Sequence, residues 1–272
     1  MKPTTDARAV MDFHMARPTV SMFSITNLRD YGMGGDHPKA MTFWTHGDPI
    51  MDVLGLTQGG IVLPVFTTTP DAASVLRGRP IQGIIGQADP VASLHKALGL
   101  PDGTLHRREP HFELSLDALK MPDTQGLRLV PLREMDRATL INWRTQYGID
   151  ALDLTAQEAG LQAMQAVDDL VTGGTHRIAM HGDTPVAMTG FNSVVGDTVM
   201  VGGVYTPADM RGRGYARAAV AMHMAEARKN GTTRAVLSAA NVAAATAYTA
   251  VGFEQVGEFM IILYDTPEVA HG

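Results

Sequence analysis

The chain has 272 residues, 45% of them hydrophobic and 18% charged, with a net charge of −6 at neutral pH. That length is comfortable for two ordinary domains with cores of their own, and the acidic balance argues against the extended basic face that general nucleic-acid binding needs. The absence of cysteine excludes disulfides, thiolate metal sites and a cysteine nucleophile, and fits a reducing compartment.

In chain order, Thr19 to Tyr31 reads as a helix that stops at Gly32-Met-Gly-Gly35. Ala40 to His46, Ile50 to Thr57 and Gly60 to Phe66 read as three strands separated by Gly/Asp turns. A short helix near Asp71 to Leu76, a strand at Ile81 to Ile85 and a helix from Pro90 to Leu98 closed by Gly99 come next. Two strands near Thr104 to Arg108 and Phe112 to Leu116 end this half, residues 1–120. Met121-Pro-Asp-Thr-Gln-Gly126 has linker composition, with Pro and Gly around polar residues.

The second half, residues 127–272, opens with a strand at Leu127 to Leu132. Helices are expected from Glu134 to about Ala151 and from Thr155 to about Thr172, with Thr155 as N-cap and Gly173-Gly174 as stop. His176 to His181, Pro185 to Val194 and Thr198 to Tyr205 are strands joined by Gly182-Asp183 and Gly196-Asp197 turns. An Ala-rich helix from Tyr215 to about Asn230 is closed by Gly231. A strand at Arg234 to Ser238, a helix at Val242 to Val251 and a last strand at Phe253 to Tyr264 complete the chain. The first half repeats this order faintly, as a worn copy would.

The chemistry is concentrated between Val204 and Ala216, where a strand, a Pro-containing turn, Arg211-Gly-Arg-Gly214 and a helix start follow one another. The first amides of a helix lack intrahelical acceptors and sit at its positive dipole end, which makes an anion site. Gly212 and Gly214 let the main chain approach a phosphate, and Arg211 and Arg213 add forked cationic donors. Neither a P-loop pattern nor a complete dinucleotide fingerprint occurs, since the third glycine's place is Arg217.

Arg211-Gly-Arg-Gly214-Tyr-Ala216 resembles the Arg/Gln-x-x-Gly-x-Gly/Ala signature of the GNAT superfamily of N-acetyltransferases. Asn241, Tyr248 and Gly252-Phe253 resemble that family's second block, and the likeness spans about residues 126–265. It implies a fold of the α+β or α/β class, with two GNAT-like domains in tandem. Each would be a mixed, mostly antiparallel sheet flanked by helices, the first degenerate and lacking the coenzyme A motif. It implies acetyl transfer from acetyl-CoA to a primary amine by direct attack. Val204, Tyr205 and Thr206 would pair with the pantetheine arm, Gly202-Gly203 would leave room for substrate, and Arg211, Gly212, Arg213, Gly214, Tyr215 and Ala216 would hold the pyrophosphate. Asn241 would contact the cofactor chain or simply cap its helix. Tyr248 matches the family tyrosine that faces the thioester sulfur, so it is the expected general acid, with helix anchoring as the competing role.

The general base stays open. The strand Thr198 to Tyr205 has no carboxylate where many relatives place a glutamate, Asp197 sits in a turn, and three sources remain: His181, the first half, or ordered water. The acceptor, a small-molecule or protein amine, would sit at the junction of the halves, and homodimerisation is left open. A catalytically decayed coenzyme-A-binding regulator is the alternative reading. Scattered histidines give no metal-ligand spacing, the 17 methionines read as core filler, and neither a signal core nor a membrane-spanning run occurs. The expected setting is cytoplasmic.

Overall fold

The computed structural model describes residues 1–270. Two compact units divide the chain: Met1–His111 together with the segment from Gly257 onward, and Phe112–Val256.

In the first unit β1 (Lys2–Thr4), α1 (Ala7–Met15) and α2 (Pro18–Tyr31) precede β2 (Met41–His46), β3 (Asp52–Thr57) and β4 (Ile61–Val65). α3 (Ala73–Leu76), β5 (Pro80–Gln87), α4 (Ala88–Leu98) and β6 (Leu105–Ser115) follow. Local chemistry sets these bounds. Asp6 caps α1 by accepting from the Ala9 amide at 2.9 Å, Pro18 occupies the first turn of α2, and Gly99 closes α4 in the left-handed region. β2, β3 and β4 are antiparallel neighbours, and β4 pairs parallel with β5. One face of this sheet buries Val10, Phe13, Leu28, Phe43 and Val53; the other buries Leu54, Leu76, Ile84, Val91 and Leu98.

From Leu127 onward the chain repeats this order. β7 (Leu127–Pro131), α5 (Arg137–Leu152), α6 (Ala156–Gly173), β8 (His176–His181), β9 (Thr184–Val195) and β10 (Thr198–Tyr205) are followed by α7 (Tyr215–Lys229), β11 (Arg234–Ser238), α8 (Val242–Ala250) and β12 (Glu254–Val269). Asp136 caps α5, and Thr155 with Glu158 forms a reciprocal capping box on α6. β7 to β10 are antiparallel neighbours, and β10 pairs parallel with β11. α5 and α6 cover Val130, Ile178, Met188 and Tyr205 on one face, while α7 lies on Ala179, Val186 and Ala187. The tandem, mostly antiparallel α+β architecture is therefore as the resemblance implies.

The structure departs from the sequence expectations in several places. β1 and α1 were not anticipated. The two strands expected between Thr104 and Leu116 are one, β6, and α5 starts at Arg137 because Asp136 supplies its cap. The units do not divide at 121–126. β12 pairs antiparallel with β5, matching Phe259 to Gln87 and Ile262 to Ile84, so the chain's last strand completes the first unit's sheet. The end of β6, in turn, belongs to the second unit and flanks β11. Methionine is only in part core filler: Met22, Met41, Met188 and Met224 are buried, but Met15, Met51, Met121 and Met164 are exposed.

Candidate active site

β10 and β11 are registered only from Thr198↔Arg234 to Met200↔Val236. Beyond Met200 the rest of β10, Val201 to Tyr205, has no registered partner on β11. On its other side β10 carries one extra residue against β9, between Gly202↔Gly190 and Tyr205↔Met188. Gly203, at φ +62°, is in that bulge, in a conformation side-chain-bearing residues rarely adopt. The end of pairing with β11 parts the two strands into a cleft, along which Val204 is half-buried while Gly203 and Tyr205 are buried.

The loop beyond the cleft leads into α7. Gly212 (φ +78°) and Gly214 (φ +79°) are both left-handed, and Gly214 is the N-cap of α7 with no side-chain cap. The amides of Tyr215 and Ala216 at the helix start thus point outward at the positive end of the dipole. Arg211 donates from Nε to the Thr206 carbonyl at 3.0 Å and pairs with Asp150 of α5, while Arg213 donates to the Asp209 carbonyl at 3.1 Å. Both arginines are exposed. The Arg211–Asp150 pair, half-exposed on both sides, adds little stability but holds the loop against α5. Arg211, Gly212, Arg213, Gly214, Tyr215 and Ala216 form one turn and helix start, with both arginine side chains already bonded within the chain.

Tyr248 is 8% exposed and lies in a core cluster with Phe112, Val201 and Phe253, against which Val204 packs. It thus shares one apolar cluster with Val201 and Val204 of β10. Asn241 accepts from the Ala244 amide at 2.9 Å, so its side-chain oxygen serves as the cap of α8. Tyr205 tilts against Trp143 of α5, and burial, the largest influence, pushes its phenol up.

The expected substrate space over Gly202 and Gly203 is filled from within the chain. A Cβ on Gly202 would overlap the Asn192 side chain, and one on Gly203 would come within 2.9 Å of His176 Nε2. His176 also covers Gly190, is 2% exposed, and accepts from or donates to Thr175 Oγ1 at 3.0 Å through Nδ1. Burial first, then Arg144 and Arg177, push its pKa down to about 4. The ring is neutral at pH 7. His181, the candidate base, is five residues along β8, roughly 16 Å at strand spacing, beside Tyr215 and Gly126. It is a neighbour of the loop, not of the bulge. Sequence reasoning missed His176 and Arg144; the one available signal was the pair of glycines at 190 and 203 facing a larger residue across the sheet.

The counterpart loop in the first unit is built differently. The Thr67 and Thr68 amides donate to the buried Asp52 carboxylate at 2.7 and 2.9 Å, and the Thr68 hydroxyl and His46 also bond it. Burial pushes the Asp52 carboxyl up, but these donors outweigh it and hold the group below the usual range. A cavity of about 490 Å³ opens beside this loop, with Asp71 and Asp89 among its lining residues. Amides already engaged and carboxylates nearby do not suit a diphosphate. Among the described residues no cluster could hold a metal, and no helix is long and apolar enough to cross a membrane.

Parallel strands that cease to pair, followed by a glycine loop and an uncapped helix, characterise this α+β unit. Residues 138–253 match the model of the acetyltransferase (GNAT) family, so the chain carries a GNAT-family domain in its second unit. A solved Drosophila protein is similar over 96% of this chain and 97% of its own, at 16% identity and a TM-score of 0.65. A tandem GNAT protein from the clavulanic acid biosynthesis pathway is similar over 100% of this chain and 98% of its own, at 14% identity and a TM-score of 0.59. A GNAT-family acetyltransferase from Colwellia psychrerythraea matches 97% of this chain and 99% of its own, at 11% identity and a TM-score of 0.51. At these identities the likeness concerns fold. No curated protein matches the chain by sequence.

Proposed function

We propose that the second unit transfers an acetyl group from acetyl-CoA to a primary amine. The observation that carries this reading is the parting of β10 from β11 after Met200, beside the uncapped start of α7. An extended pantetheine chain can add to the free edge of β10 as a strand would, while the pyrophosphate lies on the Gly212–Ala216 amides. The amine nitrogen attacks the thioester carbonyl carbon, the C–S bond breaks, and the amine's proton is lost as the thiolate gains one. A bulge amide at Gly203 or Val204 stabilises the transient oxyanion. Tyr248 supplies the thiolate's proton, a role supported by its packing with Val201 and Val204. Water takes the amine's proton, since His176 is too weak a base and His181 is too far from the bulge.

Thiol release from acetyl-CoA across an amine panel tests the reading; acetyl-CoA binding without release by any amine would favour a coenzyme-A-binding regulator instead. Tyr248→Phe is expected to lower turnover about 100-fold while acetyl-CoA affinity stays within about twofold. Equal turnover would remove Tyr248 from the chemistry. Arg211→Glu places a carboxylate on the diphosphate and opposite Asp150, and is expected to weaken acetyl-CoA binding at least ~100-fold by calorimetry, the scale of losing charge-assisted bonds. Unchanged affinity with an unchanged melting temperature would contradict the loop assignment.

A further inference from the structure

The arginines of the second unit mostly have carboxylate partners: Arg137 with Asp168, Arg177 with Glu226, Arg211 with Asp150, Arg228 with Asp117 and Arg234 with Glu113. Arg144 of α5 is different. Its Nε is buried without an acceptor, and no carboxylate among the described residues pairs with it. Its guanidinium rests 4.8 Å from the centre of the Tyr147 ring, and Nη1 comes within 3.6 Å of where a Cβ on Gly203 would stand. The nearest titratable neighbour on the sheet, His176, is neutral and cannot balance it. Arg144 as a whole is half-buried, but a buried cationic donor without an acceptor is unfavourable unless something anionic arrives to share the site.

The position says what that anion is attached to. Gly203 is the bulge residue at the mouth of the β10 cleft, and the Thr206 hydroxyl, at the end of the same strand, is also buried without a partner. The pyrophosphate loop is elsewhere, at the start of α7. We propose that Arg144 binds a carboxylate carried by the amine acceptor, so that the acceptor is an amino acid or a close analogue and not a simple amine. This rests on the acyl-transfer reading and names its substrate class. One guanidinium beside a neutral imidazole matches one carboxylate through two parallel N–H donors; a phosphate dianion would leave charge unmatched. In an α-amino acid the amine is one carbon from the carboxylate. Gripping the acid at the Arg144 guanidinium, beside the bulge and not over its glycines, would bring the nucleophile towards the Val204 amide.

The test compares L-amino acids with their α-carboxamides, isosteric but uncharged, in the wild type, Arg144→Gln and Arg144→Lys. Thiol release should show at least one acid used with kcat/KM about 100-fold above its amide, the ratio collapsing towards one in Arg144→Gln mainly through KM. Arg144→Lys should restore part of it. Acetyl-CoA affinity should be equal in all three. In a separate thermal-shift arm without acetyl-CoA, the acids should stabilise the wild type, the amides should not, and Arg144→Gln should lose the difference while melting no lower than the wild type. That arm stands if acyl transfer itself fails. Amides or phosphorylated amines used as well as acids, an acid preference that survives in Arg144→Gln, or no stabilisation by any acid would each overturn the proposal.

Discussion

A chain ended at Gly126 should fail to fold, although the sequence makes 121–126 look like a natural seam. Such a fragment keeps β5 but lacks β12, whose Met260, Ile262 and Tyr264 are buried against Ile81, Ile84 and Leu98. At about 1.5–3 kcal/mol for each of the three large side chains, the loss is roughly 4.5–9 kcal/mol. That is on the scale of the whole stability of a domain. Residues 127–272 alone would be short of a strand too, because the end of β6 is part of that unit. Both fragments should be insoluble or molten when made singly and recover a cooperative transition when made together. A monomeric, cooperatively unfolding 1–126 fragment would show that β12 is dispensable.

Mild acid should destabilise the protein well before its carboxylates titrate. His14, His176 and His223 are buried, and burial, reinforced by neighbouring positive charge, lowers their pKa values to about 4, about 4 and about 3. Their unfolded value is 6.5, so between pH 6.5 and 4 the unfolded chain binds protons that the folded chain refuses. Stability is thus complete above pH 6.5 and falls as pH drops through that window. At about 1.4 kcal/mol per pH unit for each group, three histidines give a slope of about 4 kcal/mol per unit at most. Urea unfolding at pH 7.5, 6.5 and 5.5 measures it. His223→Phe keeps the stacking on Phe191, whose ring centre is 4.0 Å away, and should remove about one third of the slope. Parallel pH curves for the two proteins would mean that His223 does not titrate this way.

What the sequence disclosed followed from local rules. Gly212 and Gly214 were read as allowing close main-chain approach and both prove left-handed, Thr155 caps α6 as expected, and Asn241 caps α8. The loop before α7 was legible because its glycines and arginines are contiguous. Strand partnership was not: nothing in the alternation of Phe259 to Tyr264 says that β5, about 180 residues earlier, is the neighbour it completes. Arg144 was equally silent, since an arginine between Trp143 and Thr145 on an amphipathic helix reads as solvated. Only the packing of α5 against the bulged strand shows it half-buried beside Gly203, with its Nε out of reach of solvent. The glycines themselves were recognised, but their vacancy was credited to substrate when His176 and Asn192 already occupy it.

The pairing of β12 with β5 also bears on biosynthesis. While the chain is still being translated, β5 emerges early and must wait for the last strand before its sheet can close. At typical elongation rates of 5–20 residues per second, that delay is on the order of ten seconds or more. During it, the apolar residues of β5 and α4 are without their final cover, which makes the nascent protein a natural client for chaperones that shield exposed strands.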